Sequence, residues 1–372
     1  MKKLLEQLVS AAPTMDNGEL KAAEVLKRYF GHHGLDAEIE VWEGTRANVL
    51  VHLKATGREV SRGPLLIAAH LDVVPAAADK WSVPPFTATE REGRMYGRGT
   101  TDMLGGVAAV SAALAETAQH REQLCNDIIF AVTAGEETDS CGTRRFVEQY
   151  RSRFADPVGV LVPEPTDLKI MRAHRGILWL KVVAYGRTAH GSMPHLGINA
   201  ILKINALLNR LSGLSIPHTP HPLLGGCSMS VNRIAGGSGT NIVPETCEIE
   251  IDIRTLPGQP PTAIIEQFEK LLAELAQSDS EFKAEVSVLR IAGAIETPQD
   301  DPFVQAVCKA VKTDQTGAVG FTTDGPYFTP LGPVLIFGPG KPEACHKPDE
   351  YIEIEDLNRA KELYQNIFTL QS

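Results

Sequence analysis

No Cys-x-x-Cys pair occurs in this sequence, no apolar run approaches the thickness of a bilayer, and no long basic stretch is present. Each absence excludes something. The six cysteines (Cys125, Cys141, Cys227, Cys247, Cys308 and Cys345) are scattered over 372 residues, so they read as reduced thiols and not as a disulfide framework. Without a run of about 20 apolar residues there is no candidate membrane-spanning helix. A formal net charge of −10 without a basic cluster makes nucleic acid and anionic membranes poor partners. Repeats and low-complexity segments are missing too. Gly236-Gly237-Ser238-Gly239 lacks the strand–loop–Lys order of a phosphate loop and reads as a turn. Gly340-Lys341 lacks the Ser or Thr that a P-loop needs next. The opening Met1-Lys2-Lys3-Leu4-Leu5 imitates a signal peptide. Glu6 and Gln7 break that apolar run, so an amphipathic helix and a cytoplasmic protein are expected.

The composition is globular, and the length exceeds what one core usually supports, which sets two domains as the expectation. Two helical patterns fill residues 1–33, the second from near Asn17 to a glycine stop at Gly31 or Gly34. Apolar strand runs follow at 38–41, 48–53, 65–69, 128–133 and 159–162. An Ala- and Val-rich helix is expected at 105–117 and another around 146–150. This alternation predicts an α/β fold, a three-layer arrangement with helices on both faces of a mixed sheet. Near residue 177 the pattern changes. Segments 178–185 and 248–254 alternate apolar and polar residues as half-buried antiparallel strands do. With helices at about 198–211 and 263–276 and a strand at 283–289, they predict a smaller α+β unit of two helices and a four-stranded antiparallel sheet. The α/β pattern resumes with a helix at 303–312, a strand at 334–337 and a final helix from Glu355. The expected division is a discontinuous domain of residues 1–176 and 290–372, interrupted by an inserted domain of residues 177–289.

Candidate ligands cluster just after strands or just before helices, where open α/β sheets place their sites. They are Ala69-His70-Leu71-Asp72, Gly97-Arg98-Gly99-Thr100-Thr101-Asp102, Gly135-Glu136-Glu137, Pro163-Glu164-Pro165 and Cys345-His346. Taken alone, each has an ordinary reading. Asp102 stands where an N-cap stands, and Glu136-Glu137 could be solvated loop charge. As a series they alternate imidazole and carboxylate without a required thiolate, a set that suits zinc, cobalt or manganese. Five ligands with one shared carboxylate would build a pair of metals about 3.5 Å apart.

These motifs resemble the M20 metallopeptidase family, in particular its acetylornithine deacetylase and succinyl-diaminopimelate desuccinylase branch. The resemblance rests on His70-Leu71-Asp72, Gly97-Arg98-Gly99-x-x-Asp102, Glu136-Glu137, Glu164-Pro165-Thr166, Arg172-Ala173-His174-Arg175-Gly176 and Gly338-Pro339-Gly340…His346-x-Pro348-Asp349-Glu350, and it spans nearly the whole chain. It implies that Asp102 bridges two divalent metal ions, zinc first, with cobalt or manganese as alternatives. His70 and Glu164 would complete one ion, and Glu137 and His346 the other. Asp72 would orient His70, and Glu136 would be the general base. The resemblance further implies a cis peptide after Asp102, a homodimer, a His190 that reaches the partner's site to hold a developing oxyanion, and Asn241 and Arg254 as binders of the substrate's carboxylate. Without the resemblance, His190 is a loop histidine and Arg254 half of a surface ion pair.

The implied reaction is hydrolysis of the amide in a small N-acyl amino acid. A di- or aminopeptidase of the same family is the nearest competitor, and a non-catalytic binding protein a distant one, since the base and all five ligand positions are present. Departures from the family pattern bear on specificity. Pro163 replaces the glycine that usually precedes Glu-Pro. In Thr322-Thr323-Asp324-Gly325-Pro326-Tyr327, Pro326 and Tyr327 stand where the desuccinylase pattern carries an arginine, which weakens the case for a succinylated substrate.

Overall fold

The computed structural model describes residues 1–57 and 63–370. The chain forms two compact units. One comprises Met1–Ala173, Ile295–Val319 and Thr323–Ser372, and the other His174–Ala294 with Gly320–Thr322.

The first unit is built on a nine-stranded mixed sheet. Its central strands lie in the order Arg46–Leu53, Ile128–Thr133, Leu65–His70, Gly159–Val162 and Val334–Ile336, and the last four run parallel. Their sequences are mostly apolar because both faces are covered, with polar residues at strand ends and at Asn48 and His52 of the first. Leu65, Ile67, Ala69, Ile128, Phe130 and Val132 point into one large core. Leu66, Ala68, Ile129 and Ala131 are buried outside it, on the opposite face. Helix Leu104–Thr117 joins that core and is buried all round except at Glu116, which explains its lack of an amphipathic pattern. It packs against the final helix, Ile354–Phe368. Its second residues are small for a reason: a Cβ on Gly106 would lie 2.3 Å from the carbonyl oxygen of Pro163. Glycine there lets the helix start close against the loop that carries Glu164.

One sequence expectation needs correction, and one element went unread. The second helix runs Leu20–His32 and starts later than Asn17, whose side chain instead turns back to the Ala12 carbonyl at 2.9 Å. A small three-stranded sheet of Thr89–Arg91, Arg94–Tyr96 and Tyr351–Glu353 carried no readable signal. Each strand is three residues long, too short for a period to show.

The second unit is a four-stranded antiparallel sheet in the order Ser228–Gly236, Thr246–Thr255, Gly176–Tyr185, Lys283–Ala292. Alternate residues Leu178, Leu180, Val182 and Ala184, with Cys247, Ile249, Ile251 and Ile253, form its core with helices Ala200–Leu211 and Pro261–Ser278. The opposite face carries charge pairs, among them Lys181 with Glu248 and Arg233 with Glu250. Among the described residues, no helix is long and apolar enough to cross a membrane.

Candidate metal centre

Four adjacent parallel strands deliver the candidate ligands from their carboxyl ends. Register pairs His70 with Thr133 and Ile336 with Val162. The next few residues of each chain segment therefore emerge side by side: His70 to Asp72, Gly135 to Glu137, Pro163 to Glu164, and the loop from Gly338 to His346. Asp102 joins them from the turn before helix Leu104–Thr117. The residue capping that helix is Met103, without a side-chain hydrogen bond, so Asp102 is not its N-cap. The Asp102–Met103 peptide is cis.

Two trios of ligand atoms result, His70–Asp102–Glu164 and Asp102–Glu137–His346, each with its atoms within 4.8 Å of one another. Asp102 belongs to both, and its two oxygens divide the work. Oδ1 lies 3.3 Å from His70 Nε2, and Oδ2 lies 3.2 Å from His346 Nε2. His70 Nε2 is also 3.4 Å from Glu164 Oε1, and His346 Nε2 is 2.9 Å from Glu137 Oε1. The trios differ in access. His70 and Glu164 are buried, whereas the His346 side chain is 50 % exposed. His346 holds a left-handed backbone, φ 60°, which side chains with a Cβ rarely adopt.

The site gathers three carboxylates and two imidazoles within reach of one another, a set that attracts cations. His70 Nδ1 donates to the Asp72 carbonyl at 2.9 Å, which leaves Nε2 as the lone-pair nitrogen. That Nε2 is buried with no hydrogen-bond partner and is flanked by two carboxylates. An orphaned buried acceptor is costly unless something coordinates it. The proton affinities say the same. Burial, then the Asp102 carboxylate, pushes Glu164 up to about 7 and raises Glu137. Burial, then the Asp324 carboxylate, lifts Glu136 well above the usual range. Burial opposes protonation of His70, yet Glu164, Asp102 and Asp72 raise it well above an ordinary histidine. Asp102 and Glu137 hold His346 up at about 10. Crowded carboxylates that bind protons this avidly are the mark of a site suited to cations. Imidazole nitrogen and carboxylate oxygen in two trios with a shared carboxylate fit a pair of divalent ions.

Asp72 acts differently from a simple ring-orienting carboxylate. Its Oδ1 lies 3.7 Å from His70 Nδ1. The carboxylate instead accepts backbone N–H groups of the neighbouring loop: Gly135 at 2.7 Å and Glu136 at 3.1 Å on Oδ1, Glu137 at 3.0 Å on Oδ2. Main chain holds the histidine, and the side chain clamps the Glu136–Glu137 turn. Gly135 holds φ +83°, a backbone that side chains with a Cβ rarely adopt. Asp72→Asn puts an amide NH₂ against one of those N–H donors. It is expected to lower kcat by roughly 10- to 100-fold with an unchanged circular dichroism spectrum. A variant within twofold of wild type would remove the clamp from the argument.

The remaining candidates lie in the second unit. His190 and Asn241 occupy paired segments: His190 bridges Ile242, and the Asn241 carbonyl accepts the Gly191 N–H at 2.7 Å. His190 Nδ1 sits 2.7 Å from Ser192 Oγ. Arg254 spans both oxygens of Asp252, at 2.8 and 2.9 Å. Sequence reasoning gave no role to Asp324, buried and accepting from Thr143 Oγ1 at 2.5 Å, nor to the buried Arg98 and Glu350. The available signal was a charged residue inside a Gly- and Thr-rich motif for Arg98 and Asp324, and beside the His346 motif for Glu350, without any hint of its partner.

The sequence model described as peptidase family M20/M25/M40 matches residues 66–369. The acetylornithine deacetylase of Pectobacterium carotovorum is 30 % identical to this chain over 369 residues, 95 % of this chain and 91 % of that protein. Among solved structures, an M20 family metallo-carboxypeptidase from Sulfolobus solfataricus superposes with a TM-score of 0.78 at 19 % identity, covering 99 % of this chain and 98 % of its own. A dinuclear metal binding peptidase of the M20 family from Bacillus subtilis gives 0.72 at 17 %, covering 99 % and 97 %.

Proposed function

Because the chain belongs to peptidase family M20/M25/M40, we propose that this hydrolase is a two-metal deacylase that cleaves the amide bond of a small N-acyl amino acid. The observation that carries the reading is the division of Asp102, one oxygen toward His70 and the other toward His346. The acyl amino acid is favoured by the name of the relative at 30 % identity and by Pro326-Tyr327, where a succinyl-binding arginine would stand. The likeness to peptidases at 17–19 % identity speaks for the fold alone.

His70 and Glu164 would hold one ion, Glu137 and His346 the other, with Asp102 between them. Two divalent cations, zinc first for this ligand set, with cobalt or manganese as alternatives, would supply an acidified water and a Lewis acid for the acyl carbonyl. Glu136 belongs to neither trio and sits in the same loop as Glu137, which suits its carboxylate to proton transfer beside the ions. It takes a proton from the attacking water and returns it to the departing amine nitrogen. His190 would reach the partner's site and donate to the oxyanion developing there, and Asn241 and Arg254 would receive the substrate carboxylate. Arg254 must share or give up Asp252 to do so.

The test is hydrolysis by the zinc- or cobalt-loaded protein of N-acetyl, N-formyl and N-succinyl amino acids beside simple dipeptides. Release of amine from one N-acyl class supports the proposal. Cleavage of dipeptides alone replaces it with a peptidase.

A homodimer is part of the same proposal. Among the described residues, twelve of the fourteen exposed large apolar side chains lie in the second unit, including Ile201, Leu202, Val231 and Ile234. Strand Ser228–Gly236 is an edge strand and almost wholly exposed, and such an edge is normally covered. Leu202→Glu with Ile234→Lys is expected to convert a dimer to a monomer in sedimentation velocity. A wild-type monomer at micromolar concentration would end this part of the proposal.

A further inference from the structure

The segment that carries His346 also carries a buried ion pair outside both trios. Glu350 is 1 % exposed and Arg98 4 %. Arg98 Nη1 lies 2.5 Å from Glu350 Oε2. The other oxygen, Oε1, accepts the backbone N–H of Thr101 at 2.9 Å and of Asp102 at 3.1 Å. The seam continues on either side: the Gly97 N–H donates to the Glu350 carbonyl at 2.9 Å, Thr101 Oγ1 donates to the Tyr351 carbonyl at 2.5 Å, and Tyr351 pairs with Tyr96. One carboxylate therefore sits at the join between the loop that presents Asp102 and the loop that presents His346.

The arrangement is more than a stabilising contact. Buried ion pairs roughly break even against apolar packing of the same volume, so burial of Arg98 and Glu350 calls for another use. Asp102 must aim two oxygens at two histidines at once. A small rotation of its backbone would take one oxygen out of reach. Glu350 fixes that backbone through the Asp102 N–H itself, and Arg98 fixes Glu350. Arg98 in turn lies 5.2 Å from the centre of the Trp81 ring, and the Ser82 N–H donates to Asp349 at 2.8 Å. The clasp is thus held from a third segment.

We infer that Glu350, held by Arg98, is a positioning residue that sets the affinity of the Asp102–Glu137–His346 half of the site for its divalent cation, without touching ion or substrate. The inference rests on the two-metal reading above. Groups one step behind a ligand typically alter metal affinity by 10- to 100-fold when replaced.

The experiment is a zinc titration of chelator-stripped full-length protein against a chromophoric competitor. The proteins compared are wild type, Glu350→Gln, the double variant Arg98→Gln/Glu350→Gln, and His346→Ala. The double variant leaves no unpaired buried charge, so it keeps the question answerable where the single variant folds poorly. Wild type is expected to take two ions. Glu350→Gln and the double variant should keep one ion within about threefold of its wild-type affinity and bind the other roughly 10- to 100-fold more weakly, the same ion that His346→Ala loses. Their kcat should fall at limiting zinc and recover as zinc is raised, with KM little changed. Two ions in wild type and an unaltered pair of affinities in the folded double variant would overturn the inference alone. Fewer than two ions in wild type would overturn the two-metal reading and this inference with it. Equal weakening of both ions would also overturn it, since that is what a general loss of structure produces.

Discussion

Glu136→Gln is expected to lower kcat by roughly 10²–10⁴-fold, the range of a lost general base, while metal content stays at the wild-type value. The two halves of that expectation come from different observations. Glu136 is 9 % exposed and lies in neither ligand trio, so an isosteric amide leaves all five ligands in place. Its backbone N–H is held by Asp72 at 3.1 Å, which the substitution does not touch. Its carboxylate, however, is unusually basic because burial and then Asp324 raise its proton affinity. Glutamine has the shape without the basicity. The measurement is kcat on an N-acetyl amino acid beside metal content by atomic emission. Retention of activity within tenfold would move the base elsewhere, and loss of metal together with activity would make Glu136 a ligand.

Asp102→Asn should be as damaging by another route. The two oxygens of Asp102 face two different histidine nitrogens. Asparagine offers one oxygen and one NH₂ group, so one of the two ion positions would lose its share of the carboxylate. Binding of both ions is expected to weaken and turnover to vanish. Stability gives a readout independent of turnover. One ion at a hundred times its dissociation constant adds about 2.7 kcal/mol to the folded state. At 2–4 °C per kcal/mol that is a rise of roughly 5–10 °C in the melting temperature. Wild type should show such a rise when zinc replaces chelator, and Asp102→Asn should show almost none. A full zinc-dependent rise in the variant would mean that the shared carboxylate is not the centre of the site.

The order of the ligand motifs was readable because of where parallel strands end. Runs such as 65–69, 128–132 and 159–162 are apolar at each position, which marks buried strands, and a polar residue just past such a run has few uses other than function. His70, Glu137 and Glu164 were legible for that reason. Asp102 was ambiguous, since a carboxylate before an apolar helix serves equally as an N-cap; only the structure turns its side chain away from the helix. His190, Asn241 and Arg254 became candidates only through resemblance. Loop and strand residues of the second unit have no local feature that separates binding from an ion pair, and Arg254 does make one, with Asp252.

Local sequence, then, determined the long buried strands, the large helices, the change of pattern near residue 177 and the residue types that meet at the strand ends, because period and polarity are properties of neighbours in the chain. Tertiary structure decided the rest. It chose which oxygen of Asp102 faces which histidine. It set Asp72 to clamp the 135–137 turn by its side chain while its main chain holds His70. It joined Arg98 to Glu350 across 252 residues of sequence. Such choices depend on the direction of a side chain after the sheet has closed, and no periodicity records a direction that only packing between distant segments imposes.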